Sequence, residues 1–290
     1  MNENIVSIRV WGDFACFTRP EMKVERVSYP IITPSAARGI LEAIFWEPEM
    51  YYKICEIRVV KKGKWFSVKR NEVKEVINTT TAGRWMRDFS KFKPIQAGGG
   101  AADGTQRNTL GLADVEYIIT AEISLSGVAD KGKCNIPKYR GEIMKRAAKG
   151  KCYHRPALGC REFPADFEWE DDPQAALERR ANELGLNWRE IWPSEDLGIM
   201  LYDVFAPASR SHGFRWLKPE EIISLPQNID GKIQKKNKKS PIQGWSGKML
   251  IPQAIFFKAS IENSMMLCHP DKVELIVGET GRENATDRAI

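Results

Sequence analysis

The apolar positions of this chain change period along its length, and the period assigns the elements. Ile5 to Trp11, IVSIRVW, alternates and predicts a first strand, ended by Gly12 and Asp13. Ala37, Ile40, Leu41, Ile44 and Phe45 then recur at helical spacing and predict a helix over Pro34 to Trp46. Thr33 suits its N-cap, Pro34 its first position and Pro48 its stop. Ser35, Arg38 and Glu42 fall on its other faces. Ile54 to Lys61 predicts a second strand. Lys62, Gly63 and Lys64 predict a turn, with Trp65 to Val68 returning as a hairpin arm. Thr79 to Ala102 carries no period and ends among glycines, so it reads as an irregular loop.

Thr105 to Leu112 leads into an alternating strand at Val115 to Leu125. Pro137 starts a helix that points Ile143, Met144 and Ala147 inward, with Gly150 at its end. Arg161 to Trp169 reads as a further strand. The order is strand, helix, strand, then strand, helix, strand. A split β-α-β unit repeated in this way predicts an α+β fold with a ferredoxin-like N-terminal domain. Composition shifts to acidic at Glu168, which sets the domain boundary near residue 170. Residues 171–290 read as a smaller β-rich domain. It begins with an acidic helical insertion, Pro173 to Leu184. Strands follow at Gly198 to Phe205, Ala254 to Ile261 and Val273 to Val277, and Gly278 to Ile290 reads as a flexible tail. A polar stretch between them carries Lys232, Lys235, Lys236, Lys238 and Lys239, either a solvated loop or a track for a polyanion.

Charge narrows the function classes. The net charge is +6, which fits a polyanion partner. Arg19, Lys23 and Arg26 crowd the loop before the first helix, and a helix N-terminus favours anions. Lys69 and Arg70 sit in a second cationic stretch threaded with Trp65 and Phe66, which suits RNA and equally suits a half-buried hairpin with a solvated face. The glycines at 98–100 lack the Lys-Ser or Lys-Thr that completes a nucleotide P-loop. The six cysteines form no C-x-x-C pair, and no export signal is visible, so they read as reduced thiols in a cytoplasmic protein. Cys152, His154 and Cys160, with His212 or His269, are the best metal candidates, but their spacing matches no common zinc pattern. We therefore expect no metal and no cofactor. No apolar run approaches the ~20 residues of a membrane helix.

Several segments together resemble one family. They are RVWGDFACFTRPEMKVERVSY, TPSAARGILEAIFWEP, KRNEV, TQRNTLGLADVEYII and LGCREFPADFEW, in family order over the first three fifths of the chain. The chain resembles the Dvulg subtype of the fifth family of CRISPR-associated proteins, the type I-C form. The resemblance implies a ferredoxin-like domain followed by a small β-sheet. It implies cleavage of precursor CRISPR RNA within the repeat, without metal, giving a 2′,3′-cyclic phosphate. It also implies retention of the 5′ handle beside the backbone and large subunits of the Cascade surveillance complex. Family members use a tyrosine at the end of the first helix, with lysine and histidine near the third strand. Phe45, Ala113 and Asp114 stand at those positions here. The candidate substitutes are Tyr29, Tyr51, His154, Lys23 and Arg107, with Asp114 as a base. Tyr51 and His154 have to approach the end of the first helix to serve. The RNA-binding candidates are Arg19, Lys23, Arg26, Arg38, Lys69, Arg70, Arg107 and Arg161. Two alternatives stand beside cleavage: a scaffold subunit that binds the handle without cutting, and a generic ferredoxin-like RNA-binding module.

Overall fold

The computed structural model describes residues 3–22, 24–74, 77–96, 98, 100–130, 132–213, 215–216, 243–245, 248–249 and 254–277. The centre is one long strand. In chain order come β1 (Ile5–Ala15), β2 (Arg26–Val27), α1 (Pro34–Ile44), β3 (Met50–Lys61), β4 (Lys64–Val73), α2 (Thr79–Arg87) and β5 (Gly104–Leu125). Antiparallel β1 and β3 flank β5 on opposite edges, and β6 (Asp166–Trp169) pairs β1. The order β6-β1-β5-β3 leaves each helix crossing over an intervening strand. The crossing helices are α1 and α3 (Ile136–Ala147).

Tyr117, Ile119, Ala121 and Ile123 of β5 face the main core with Ile40, Leu41 and Ile44 of α1 and Ile143 of α3. On the other face, Ile118 and Val60 are covered by Ala176 and Leu177 of α4 (Pro173–Glu183). A strand buried on both faces carries a nearly unbroken apolar run, which is why VEYIITAEI contains so few polar positions. Its one buried carboxylate, Glu116, accepts from Arg9 at 2.7 Å and from Arg180 at 2.9 and 3.0 Å. Burial alone raises the pKa of Glu116, but these two guanidinium groups win and hold it below the usual range.

Beyond residue 170, β7 (Ser194–Asp203) leads to α5 (Pro207–His212). A separate three-stranded sheet is formed by β8 (Arg215–Trp216), β9 (Gln243–Trp245) and β10 (Lys248–Met249). Next come β11 (Ile255–Glu262), β12 (Met265–Leu267) and β13 (Leu275–Val277). β11 pairs β7, β12 and β13, and β12 pairs β3, so these strands join the sheet of the first half. Among the described residues no helix is long and apolar enough to cross a membrane.

The structure departs from the sequence reading at definite places. β1 does not end at Gly12; it continues to Ala15, with Gly12 opposite Val115 of β5. Lys62 to Lys64 is not a hairpin turn. β3 and β4 run end to end along the same edge of β5, pairing its residues 116–125 and 104–113 in succession. The junction is a kink. Gly63 has φ 79°, and a Cβ there would lie 2.7 Å from Val115 Cγ1. Across from it Asp114 has φ 54°. The hairpin is therefore β4 with β5, an arm that leaves the core and is tipped by α2.

Residues 79–102 are not an irregular loop throughout, since Asn78 caps α2 by accepting from Thr80 N at 2.8 Å. This helix buries none of its residues, so no apolar period marked it. Met144 is not inward. The stripe that α3 buries is Tyr139, Ile143 and Ala147, and Met144 lies at its exposed margin. The last strand of the first half begins at Asp166, not Arg161, because the chain turns from Cys160 to Phe163 and Pro164 has no N–H for a ladder. β12 had no recognisable hairpin signal. Asn263 and Ser264 take positive φ (49° and 59°) in a two-residue turn without glycine.

Candidate functional site

The site grows out of both ends of α1. At its start Thr33 accepts from Ala36 N at 3.2 Å, as its position demands. At its end the helix closes at Ile44 with Phe45 as C-cap, and the last carbonyls need outside donors. The loop after α3 supplies them: Tyr153 N and His154 N both donate to Ala43 O, at 2.9 and 3.0 Å. His154, distant in sequence, is thereby fixed beside the C-terminal turn of α1.

His154 lies between two clefts. The first, of about 860 Å³, is lined among others by Thr18, Ser35, Gly39, Arg155, Gly159 and Arg161. The second, of about 840 Å³, includes Glu42, Phe45, Trp46, Arg146, Tyr153 and Arg210. His154 borders both. Tyr153 is 76% exposed, and its ring meets the imidazole edge-on with centroids 4.5 Å apart. Phe45 is buried, with the Arg146 guanidinium 5.3 Å from its ring centre. Its carbonyl accepts from Tyr52 Oη at 2.8 Å.

The far wall of the first cleft is the turn at Gly159. Its φ is 87°, and a Cβ would lie 2.1 Å from Cys16 O, so the turn sits tightly on the end of β1. Cys160 follows, in contact with Thr18 Oγ1 at 3.7 Å and Arg26 Nη1 at 3.6 Å. A hydrogen bond from Cys16, with help from Thr18 and the Arg26 charge, lowers the Cys160 pKa to about 6. Cys16 moves the opposite way, pushed up by that bond and by burial.

The sequence-predicted cations divide into two groups. Arg161 is exposed on the first cleft and has no ion-pair partner among the described residues. Lys69 is likewise exposed, opposite Asn108 on the arm. Arg26, Arg70 and Arg107 alternate with two carboxylates in a half-exposed row. Glu162 bridges Arg26 (3.2 Å) and Arg70 (2.8 Å), and Glu72 bridges Arg70 (3.1 Å) and Arg107 (3.4 Å). Arg19 covers the ring of Tyr29 at 4.7 Å. Lys23 and the Lys232 to Lys239 run lie outside the described residues.

Four candidates are placed against their expected roles. Arg38 is not on a solvent face; it is 8% exposed and donates to Asp203 at 2.8 and 3.0 Å and to Glu42 at 2.5 Å. Tyr29 is a core residue whose Oη accepts from Leu201 N at 3.2 Å, and burial raises its pKa. Asp114 is exposed at the arm's kink, paired with Lys61 Nζ at 2.8 Å, and lines neither cleft. Tyr51 borders a separate small hollow with Tyr52 and Pro207 rather than the end of α1. Cys152, His154 and Cys160 do not converge as metal ligands, and no other such group forms among the described residues. Sequence reasoning missed Tyr153 and Arg146. The signal for Tyr153 was its place beside His154 between Lys151 and Arg155.

A histidine with a neighbouring phenol, set in open clefts walled by arginines, has the chemistry that proton transfer beside a phosphate calls for. Comparison with known proteins bears on which chemistry this is. The family model described as CRISPR-associated protein (Cas_Cas5), subtype Cas5d, matches residues 5–219. This chain belongs to the Cas5d family. A relative from Mannheimia succiniciproducens, named CRISPR pre-crRNA endoribonuclease Cas5d, is 38% identical over 227 residues, covering 77% of this chain and 95% of the relative. One of the same name from Thermus thermophilus is 40% identical over 199 residues, covering 69% and 72%. Among solved structures, a CRISPR-associated protein matches with TM-score 0.53 at 17% identity, over 94% of this chain and 96% of that one. A functionally uncharacterised protein from Streptococcus mutans matches with TM-score 0.50 at 18% identity, with the same coverage. The structural likenesses bear on the fold alone. The fold, a large mainly antiparallel sheet with few helices, is thus shared with a solved CRISPR-associated protein.

Proposed function

We propose that this Cas5d-family chain is a precursor CRISPR RNA endoribonuclease that cuts within the repeat. It works without metal, leaves a 2′,3′-cyclic phosphate and keeps the 5′ handle as a cytoplasmic subunit of a type I-C Cascade, beside its backbone and large subunits. The strand order β6-β1-β5-β3 supports a ferredoxin-like unit over residues 1–170, with 171–290 as the β-rich second unit. The observation that carries the reading is His154, tied to Ala43 O between two clefts.

In this mechanism neutral His154 takes the proton of the 2′-hydroxyl next to the scissile phosphate. The 2′-oxygen attacks phosphorus, the bond to the 5′-oxygen breaks, and the leaving oxygen takes a proton from Tyr153 or from imidazolium. Arg155 and Arg161 face the phosphoryl oxygens from the cleft wall, where they offset the developing charge. Arg26, Lys69, Arg70 and Arg107, with Arg19, hold the backbone along the arm.

One observation favours the non-cutting scaffold reading: Phe45 has no proton to transfer. The deciding experiment incubates the protein with its repeat RNA in EDTA and inspects the ends. Cyclic phosphate ends are expected, with a loss of ~10²–10⁴ in single-turnover rate for His154→Ala. Tight binding by the wild type with no product would establish the scaffold reading instead.

A further inference from the structure

The tip of the arm carries apolar surface that the fold leaves unused. α2 buries none of its residues. Met86 is 88% exposed and Phe89 81%. Just beyond α2 the rings of Phe89 and Phe92 stack, 5.5 Å apart and inclined by 13°. Trp85 meets Phe92 edge-on at 5.3 Å and props the stack from behind. Phe92 is thus held by Trp85, and Phe89 is the more exposed ring of the stacked pair. Large aromatics held out in this way, away from any core, mark a binding surface.

Charge indicates what binds. Arg84, Arg87, Lys91 and Lys93 share this short segment and are exposed. Its one carboxylate, Asp88, is taken up by Lys91 at 2.8 Å and by Ser90. Flat ring faces among cations suit a chain of bases and phosphates, and stacking accepts any base. β4 spans about 30 Å from the kink at Gly63 to the tip, so the contact falls well along the arm.

We propose that the 84–93 tip is a stacking platform for single-stranded RNA, sequence-tolerant, receiving a base on the exposed ring of Phe89. The proposal rests on the reading that this protein binds RNA, and it adds a second contact apart from the clefts.

The test uses the full chain and a fluorescent oligouridine of about 12 nucleotides, followed by anisotropy. Phe89→Ala is expected to weaken binding roughly 5- to 150-fold, the range for one lost stacking contact. Phe89→Trp should hold or tighten it. Phe89→Leu, which keeps apolar area but no ring, should lose affinity as alanine does. Ultraviolet crosslinks should map to Trp85 or Phe89. Wild-type affinity in Phe89→Leu, or crosslinks confined to the clefts, overturns the proposal. Unchanged RNA affinity in Phe89→Ala also overturns it and makes the tip a protein-docking surface. Cleavage of repeat RNA by the wild type is read in parallel. Cleavage with an indifferent Phe89 sinks the platform alone, while platform binding without cleavage sinks the nuclease alone.

Discussion

Arg38 and Arg161 were indistinguishable as candidate phosphate ligands, and the fold uses them in opposite ways. Arg38 closes a buried cluster. It holds Asp203 with two hydrogen bonds and Glu42 with a third, and Arg210 adds contacts to the same carboxylates at 3.6 and 3.5 Å. Two cations face two anions, and the cluster fastens α1 to the end of β7. Arg161 stands on the wall of an open cleft, with no carboxylate of its own among the described residues. One arginine joins parts of the fold, and the other has no such task among the described residues. The difference lies in Asp203, 165 positions from Arg38, which no local reading of the first helix takes into account.

The sharpest way to break this contrast is Arg38→Met. It strands buried Asp203 and Glu42 with Arg210 alone, at a cost of about 3–5 kcal/mol. Calorimetry should register a melting point lower by on the order of 10 °C. Normal melting with weakened RNA binding would put Arg38 on the wrong side of the comparison.

A smaller effect appears in acid. Burial alone raises the pKa of Asp203, but the charges of Arg38 and Arg210 outweigh it and leave the group lowered. A depressed carboxylate adds stability that is present above its unfolded pKa and is lost as pH falls through the folded one. Denaturant midpoints should therefore hold near neutrality and drop below the ordinary carboxylate range, about pH 4. Asp203→Asn should start lower and show a flatter acid limb. A limb as steep as in wild type would assign the acid sensitivity to other carboxylates, Glu116 first.

The smallest effect belongs to the open side. Arg161→Gln should leave melting within about 0.5 kcal/mol. It should weaken repeat RNA binding and lower the salt slope by about 0.7 per lost phosphate contact. An unchanged slope would leave Arg161 as solvated surface only.

Legibility in the sequence followed burial. The start of α1 was readable to the residue because its cap, first proline and apolar stripe all act locally, while its end falls at Ile44, two residues short of the expected Trp46. The second half of β3 was readable because alternation survives wherever one face is more buried than the other, and that of β5 because a strand buried on both faces carries a long apolar run. α2 was not, since a helix that buries nothing imposes no period. The β3 to β4 junction misled because Lys-Gly-Lys is good turn chemistry, and only pairing to the same edge of β5 makes it a kink. At the site, His154 was visible as a chemical type, and its approach to the end of α1 was stated as a condition it had to meet. Tyr29 was visible for the same reason but is consumed by the core. Tyr153 was passed over because exposure, the property that qualifies it, is decided by where its loop docks.

The arm has one further consequence. Beyond Gly63 its rungs are β4 against one edge of β5, with the last two residues of β1 and a short piece of β2 on the other. The central layers do not register its length. Adding two residues to each strand would carry the tip outward by about 7 Å and return every side chain to its original face. A single added residue in each would turn the faces over. The arm is thus a ruler graduated in pairs, whose reach evolution or a designer can reset without rewriting the body that holds it.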